Sequence, residues 1–305
     1  MQNSNLENLT LCIPTRDRLN FLRTCLERVQ YSMPFCQVII SDNSQFQDIT
    51  SLILEFSDLN IVYLPPVGDL SLYQNFDRCI SAVKTDYCML MGDDDLLGKQ
   101  QFFDQALALF NKDTSLTMVA GRVLAAYDTE ISNKFSNKRT AFAKNAPYTK
   151  NALLFWLPFP TITGCVFRTT SIRNHSFEAY EHRSADTSLL LEFLLRYKCS
   201  FIEATPVFMI NHRGSDHLSL NLTEIKVDLS ASWRHCLALG KQFGPSQSYT
   251  KIIYGFFAIN RLISNFSARR EIIQFLRGLP DFRLELMFVS AVLLLSKFFA
   301  RRFTV

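Results

Sequence analysis

Gly92-Asp93-Asp94-Asp95 follows the apolar run Tyr87-Cys88-Met89-Leu90-Met91. Two carboxylates about 5 Å apart repel by roughly 3 kcal/mol at an effective dielectric near 20. Three in succession therefore need solvent or a divalent cation to offset their charge. Mg²⁺ or Mn²⁺ takes oxygen ligands and commonly links one or two carboxylates to substrate phosphates. A solvated acidic turn, or aspartates capping a helix that starts at Leu96, would account for the same residues. A calcium EF loop would not, because its fifth position falls on Leu97 and its twelfth on Asp104.

Four further groups have chemical potential. Asp42 closes the run Gln37–Ser41 and can accept from the N–H of a base or the hydroxyls of a ribose, or simply close an Asx-turn. Pro14-Thr15-Arg16-Asp17-Arg18 brings a hydroxyl and two guanidiniums to the end of the first strand-like run. Arg16 or Arg18 can meet a diphosphate there, unless Asp17 pairs with one of them. Asp186 opens a helical stretch, where it serves either as a general base or as a cap on free N–H groups. His212, in Asn211-His212-Arg213-Gly214-Ser215, is a metal or phosphate ligand or a loop histidine without a role.

The elements that must position these residues alternate. Leu9–Ile13, Gln37–Ile40, Asn60–Leu64 and Tyr87–Met91 read as strands. Between them, Leu22, Cys25, Leu26 and Val29, then Ile49, Leu52, Ile53 and Phe56, then Tyr73, Phe76, Ile80 and Val83, recur at helical spacing. This order predicts an α/β fold with a mostly parallel sheet covered by helices on both faces. Ligands of such sheets bind at the carboxyl ends of the strands, where Asp42 and the aspartate run stand. Beyond it, 118–127 reads as one strand, 128–150 as a long polar loop and Cys165–Arg168 as a strand. Thr187–Tyr197 reads as a helix, and Phe201–Ala204 and Val207–Ile210 as closing strands.

Composition excludes several classes. With 305 residues, 48% apolar and 20% charged, the chain can bury a large core. The eight cysteines form no C-x-x-C pair, which argues for reduced core residues rather than zinc or a disulfide scaffold. No G-x-G, no G-x-x-x-x-G-K-[ST] and no G-x-S-x-G occurs. The polar start, MQNSNLENLT, lacks the features of a secretory signal, so a cytoplasmic location is expected.

Together these segments resemble family 2 inverting glycosyltransferases of the GT-A fold, of the bacterial type that builds O-antigen or capsule. The resemblance is carried by LTLCIPTRDRLNFLRTCLERV, VIISDNS, the helix with Asn75 and DYCMLMGDDDLL, with weaker agreement in GCVFR, SADTSLLLEFLLR and NHRGS. It implies a Rossmann-like GT-A domain. It also implies transfer of a sugar from a nucleotide-sugar donor to a glycan acceptor, with a divalent metal ion, Mn²⁺ or Mg²⁺. By position, Pro14, Thr15, Arg16, Asp42, Asn75 and Asp93 match donor-binding residues. Asp94 and Asp95 match metal carboxylates, His212 a loop histidine near the metal or diphosphate, and Asp186 the catalytic base. Gly92 stands where an Asp begins the commoner D-S-D-D form, and Ala185 where a Glu precedes the base. The Q-x-x-R-W motif of processive members is absent, which favours transfer of one sugar. A non-catalytic nucleotide-sugar-binding or peripheral membrane scaffold with the same fold is the alternative.

Charge divides the chain. Residues 231–305 hold 11 Lys and Arg against 3 Asp and Glu, whereas residues 1–230 hold 21 against 25. A transferase domain over 1–228 and a basic helical region over 229–305 are expected. Arg269, Arg270, Arg277, Arg301 and Arg302 accompany apolar faces that suit an anionic membrane surface and a lipid-linked acceptor. Packing on the body or on a second subunit, in an oligomer, would use the same faces. Nucleic acid is not expected, because the basic residues accompany aliphatic faces rather than exposed stacking aromatics. The uncharged stretch Leu286–Ser296 is 11 residues long, short of the roughly 20 a membrane-spanning helix needs.

Overall fold

A computed structural model of the chain describes residues 3–127, 161–180, 185–211, 222–243 and 274. After a 3-10 turn at Asn3–Asn8, the elements are β1 (Leu9–Thr15), α1 (Leu19–Ser32), β2 (Gln37–Asp42), α2 (Thr50–Glu55), β3 (Asn60–Leu64), α3 (Leu72–Ala82) and β4 (Tyr87–Leu90). Next come β5 (Leu96–Leu97), α4 (Gln100–Lys112), β6 (Leu116–Gly121) and β7 (Leu124–Tyr127). The described part ends with β8 (Cys165–Arg168), α5 (Thr169–Ile172), α6 (Ala185–Arg196), β9 (Lys198–Ile202), β10 (Val207–Asn211) and α7 (Leu222–Gln242).

Seven of the described strands form one sheet in the order β3-β2-β1-β4-β8-β6-β9. β3, β2, β1 and β4 run parallel, β8 is antiparallel to both its neighbours, and β6 pairs parallel with β9. The alternation of β1 explains the two covered faces. Leu9, Leu11 and Ile13 join a core with Leu22, Leu26 and Val29 of α1 and Phe103 and Phe110 of α4. On the other face α3 packs on β1 and β2, and the Cys79 thiol donates to the Ile39 carbonyl. The mostly parallel sheet with helices on both faces, expected from the strand-helix order, is therefore present.

Local sequence accounts for the boundaries. Ser71 accepts from Gln74 N–H while the Gln74 side chain accepts from Ser71 N–H, a capping box that starts α3. The stretch 118–127, expected as one strand, divides at Arg122, whose N–H donates to the Ala204 carbonyl. Its second half, β7, joins a separate three-stranded sheet, β5-β10-β7. β5 is too short to show a period in the sequence. No helix begins at Leu96, so the capping reading of the aspartates is set aside. α4 begins only after Lys99, without a side-chain cap.

The chain divides into two compact units. The first holds 1–149, 156–181 and 185–213, and the second holds 150–155, 182–184 and 214–305. The boundary expected at 228 falls inside α7. The loop expected over 128–150 and most of the helical region expected over 229–305 lie outside the described residues. Within the described residues, no helix is long and apolar enough to cross a membrane.

Candidate active site

The ends of β1 and β4 lie side by side, with Met91 N–H donating to the Cys12 carbonyl. The chain then turns through Gly92-Asp93-Asp94-Asp95, closed by Asp95 N–H to the Gly92 carbonyl at 3.2 Å. Asp93 and Asp95 are buried, 4% and 3% exposed, which excludes the solvated acidic turn. The Thr15 hydroxyl donates to Asp93 Oδ2 at 2.7 Å. Arg18 Nη1 lies 3.3 Å from Asp93 Oδ1 and 3.2 Å from Asp94 Oδ2.

Gly92 has a steric reason. A Cβ at this position would stand 2.7 Å from Asp94 Oδ1 and 3.2 Å from Asp95 Oδ2. The missing side chain thus leaves space into which one oxygen of each carboxylate projects. On the far side, the backbone of Ile210 in β10 approaches the Asp95 carboxylate and favours its charged form. Burial and then the neighbouring Asp94 charge push Asp95 up to about 8, against the pull of its two backbone hydrogen bonds. Burial likewise raises Asp93 to about 6, with Arg18 opposing it.

The end of β2 forms the second wall. Asp42 is 1% exposed; its Oδ1 accepts from Ser44 N–H at 2.8 Å and its Oδ2 from the Tyr63 hydroxyl at 2.9 Å. The Asx-turn is therefore real, and a base or ribose would meet lone pairs beside these bonds. Burial and then the bond to Asp42 push the Tyr63 phenol up to about 12. Asn75 takes the Ser41 hydroxyl on Oδ1 and donates to the Ser41 and Thr15 carbonyls. It clamps the ends of β1 and β2 together, and Pro14 sits in that clamp opposite Ser41.

Asp17 does not pair with either flanking arginine. At φ 52° it occupies the left-handed region that few residues other than Gly, Asn and Asp tolerate. Its Oδ1 gathers the N–H groups of Gln45, Phe46 and Gln47 at 2.8–3.1 Å. The loops after β1 and β2 are thereby joined beside the site.

The glycosyl transferase family 2 model matches residues 10–176, more than half of the chain. The chain belongs to glycosyl transferase family 2. No curated protein sequence matches it. Among solved structures, it is similar to residues 1–349 of S. aureus TarS in complex with UDP-GlcNAc, at TM-score 0.65 and 15% identity over 93% of this chain and 83% of that one. Against the longer TarS structure the coverage is 93% and 50%, so this chain spans half of that length. It is also similar to the mannosyltransferase PcManGT from Pyrobaculum calidifontis in complex with GDP-Man and Mn²⁺, at TM-score 0.53 and 11% identity over 93% and 84%. These similarities show the fold.

In this family 2 chain the structure gathers Pro14, Thr15, Asp42, Asn75, Asp93, Asp94 and Asp95 at one sheet edge. Arg16 turns instead to Asp69, 3.0 Å away in an exposed pair. Asp186 lies in the first turn of α6, half-buried, with the Thr187 hydroxyl 3.4 Å from its Oδ1. That helix packs on β9 and on the turns at 162–164 and 178–180. His212 lies outside the described residues, but Ile210 brings the end of β10 to Asp95. Arg18, Tyr63 and Ile210 also join the site. Arg18 was one of two arginines the sequence could not separate; Tyr63 and Ile210 carried no signal, since only strand pairing brings them near.

The residues present fit a divalent cation of the hard, oxygen-seeking kind. Asp94 Oδ1 and Asp95 Oδ2 share the space over Gly92, and burial, then the Asp94 charge, raise Asp95 to about 8. Among the described residues, no three His, Cys, Asp or Glu side chains enclose a metal site. Remaining ligand positions would therefore fall to phosphate oxygens and water, as is usual for Mg²⁺.

Proposed function

We propose that this chain transfers a single sugar from a nucleoside-diphosphate sugar to a hydroxyl of a glycan acceptor, inverting the anomeric configuration. The observation that carries the reading is the shelf formed by Thr15, Arg18 and Asp93–Asp95, with Asp42 on the adjoining strand end. Asp42 receives the base or ribose, and the shelf receives the diphosphate. When bound, a divalent cation offsets the charge that develops on the leaving diphosphate. Asp186 takes the proton of the acceptor hydroxyl as its oxygen bonds to the anomeric carbon. The bond from that carbon to the phosphate oxygen breaks, and its electron pair leaves with the nucleoside diphosphate.

The acceptor is a lipid-linked glycan of a bacterial surface polysaccharide, met at the cytoplasmic face of the inner membrane. Support comes from the resemblance of the motifs to that branch and from the basic, apolar C-terminal region.

Thermal-shift screening against UDP-, GDP-, CDP- and dTDP-sugars, with and without Mn²⁺, tests the donor. A ligand at a hundredfold excess over Kd adds about 2.7 kcal/mol, so one nucleotide should raise the midpoint, with Mn²⁺ enhancing it. Silence from all four, in folded protein, would transfer the weight to the non-catalytic scaffold. Asp186→Asn should keep the donor shift and lose turnover by a factor of about 10²–10⁴. Turnover near the wild-type rate would remove Asp186 as the base.

A further inference from the structure

We infer that Arg18 is a diphosphate ligand held in reserve: in the donor-free protein its guanidinium is the counter-ion of Asp93 and Asp94, and it turns to the diphosphate once a divalent cation engages the carboxylates. The inference rests on the nucleotide-sugar reading of this site.

The geometry gives one carboxylate two cation positions. Arg18 Nη1 addresses Asp94 through Oδ2, while Asp94 Oδ1 faces the space over Gly92 together with Asp95 Oδ2. A guanidinium and a divalent cation bound at these two positions draw on the same negative charge. They also repel each other at short range, so in the empty site each weakens the other. An arriving diphosphate reverses the sign, because its oxygens offer partners to both cations at once.

Three features mark Arg18 as the mobile member. Its Nη1 lies 3.3 Å from Asp93 Oδ1 and 3.2 Å from Asp94 Oδ2, both longer than the roughly 2.7–2.9 Å of strong charge-assisted pairs. The Arg18 side chain is 30% exposed, against 5% for Asp93 and 18% for Asp94, so it is the most solvent-accessible of the three. Its backbone, by contrast, is fixed: Arg18 is the N-cap residue of α1, and its carbonyl accepts from Leu22 N–H at 3.0 Å. A side chain can therefore move from carboxylate to phosphate without moving the loop. The planar guanidinium suits a diphosphate, which it can grip through parallel N–H groups.

The test compares wild type, Arg18→Gln and Arg18→Lys in two titrations on the full chain. The probes are Mn²⁺ alone, read by electron paramagnetic resonance, and UDP and GDP in saturating Mn²⁺, read by calorimetry. Arg18→Gln should bind Mn²⁺ alone severalfold more tightly, because the competing cation is gone. The same variant should bind the nucleotide at least tenfold more weakly. Arg18→Lys keeps a cation but loses the fork; it should bind Mn²⁺ like wild type and nucleotide with intermediate affinity.

Unchanged or weaker Mn²⁺ binding in Arg18→Gln would overturn the inference, leaving Arg18 a structural support of the carboxylates. Wild-type nucleotide affinity in that variant would overturn it as well. If Arg18→Gln fails to fold, Arg18→Lys decides, since its nucleotide affinity must still fall below wild type. A wild-type protein that binds neither Mn²⁺ nor any nucleotide defeats the proposed function instead, before Arg18 enters.

Discussion

Asp95 shows how burial beside another carboxylate alters the titration of one residue. Burial, and then the Asp94 charge, raise its folded pKa to about 8, far above the ordinary aspartate value of 3.8, so the folded protein holds this proton more tightly than the unfolded chain does. The associated stability is complete below pH 3.8 and is lost as pH rises through about 8. Asp93, raised to about 6, acts in the same direction over a lower range. In metal-free buffer the thermal midpoint should therefore fall between pH 5 and pH 8.5 more steeply in wild type than in Asp95→Asn. Added Mn²⁺ should restore the wild-type midpoint at the high end and do little for the variant. Parallel pH profiles for the two proteins would show that Asp95 is not held protonated by its surroundings. The aspartate run itself was legible in the sequence. Its burial was not, because burial depends on β10 and α1 closing over a turn that is polar in isolation.

At the scale of elements, the site depends on a sheet of three short strands. β5 and β10 approach so closely that a Cβ on Gly98 would fall 2.0 Å from the Thr205 carbonyl oxygen. Gly98 N–H also donates to the Pro206 carbonyl, and Arg28 of α1 bonds the Leu97 carbonyl. These contacts hold β10 where Ile210 can reach Asp95. Gly98→Ala must push backbone away from backbone, a cost of roughly 1–3 kcal/mol or more. Urea unfolding should show that loss, and donor binding should weaken beyond it as the Ile210 contact opens. Unaltered stability would mean that β5 and β10 can separate without consequence. A period of two cannot be read from a two-residue strand, so the sequence predicted β10 as a strand but not β5, which holds it in place. The division of 118–127 escaped for a related reason: both halves are apolar, and only the bond from Arg122 to Ala204 separates them.

At the scale of the molecule, charge is distributed unevenly between a mildly acidic body and a basic C-terminal region. A polybasic, apolar surface gains about 1 kcal/mol for each Lys or Arg near anionic lipid, so four such contacts would bind a vesicle without any spanning helix. The intact chain should therefore sediment with anionic phosphatidylglycerol vesicles in low salt. It should release as salt rises, and it should fail to bind after removal of residues 270–305. No sedimentation of the intact chain would end the membrane reading and favour packing of this region within the protein or between subunits.

The sequence by itself determined the alternation of strands and helices, the parallel half of the sheet and the positions of Asp42 and Asp93–Asp95. Each of those is a local matter of periodicity, or of a residue standing at the end of a strand. Tertiary structure decided the partners: Arg18 rather than Arg16 on the carboxylates, Asp17 on a distant loop rather than on an arginine, Tyr63 on Asp42 and Ile210 on Asp95. Side chains separated by tens of residues meet only after strands pair, and a guanidinium goes to whichever carboxylate the fold has already buried.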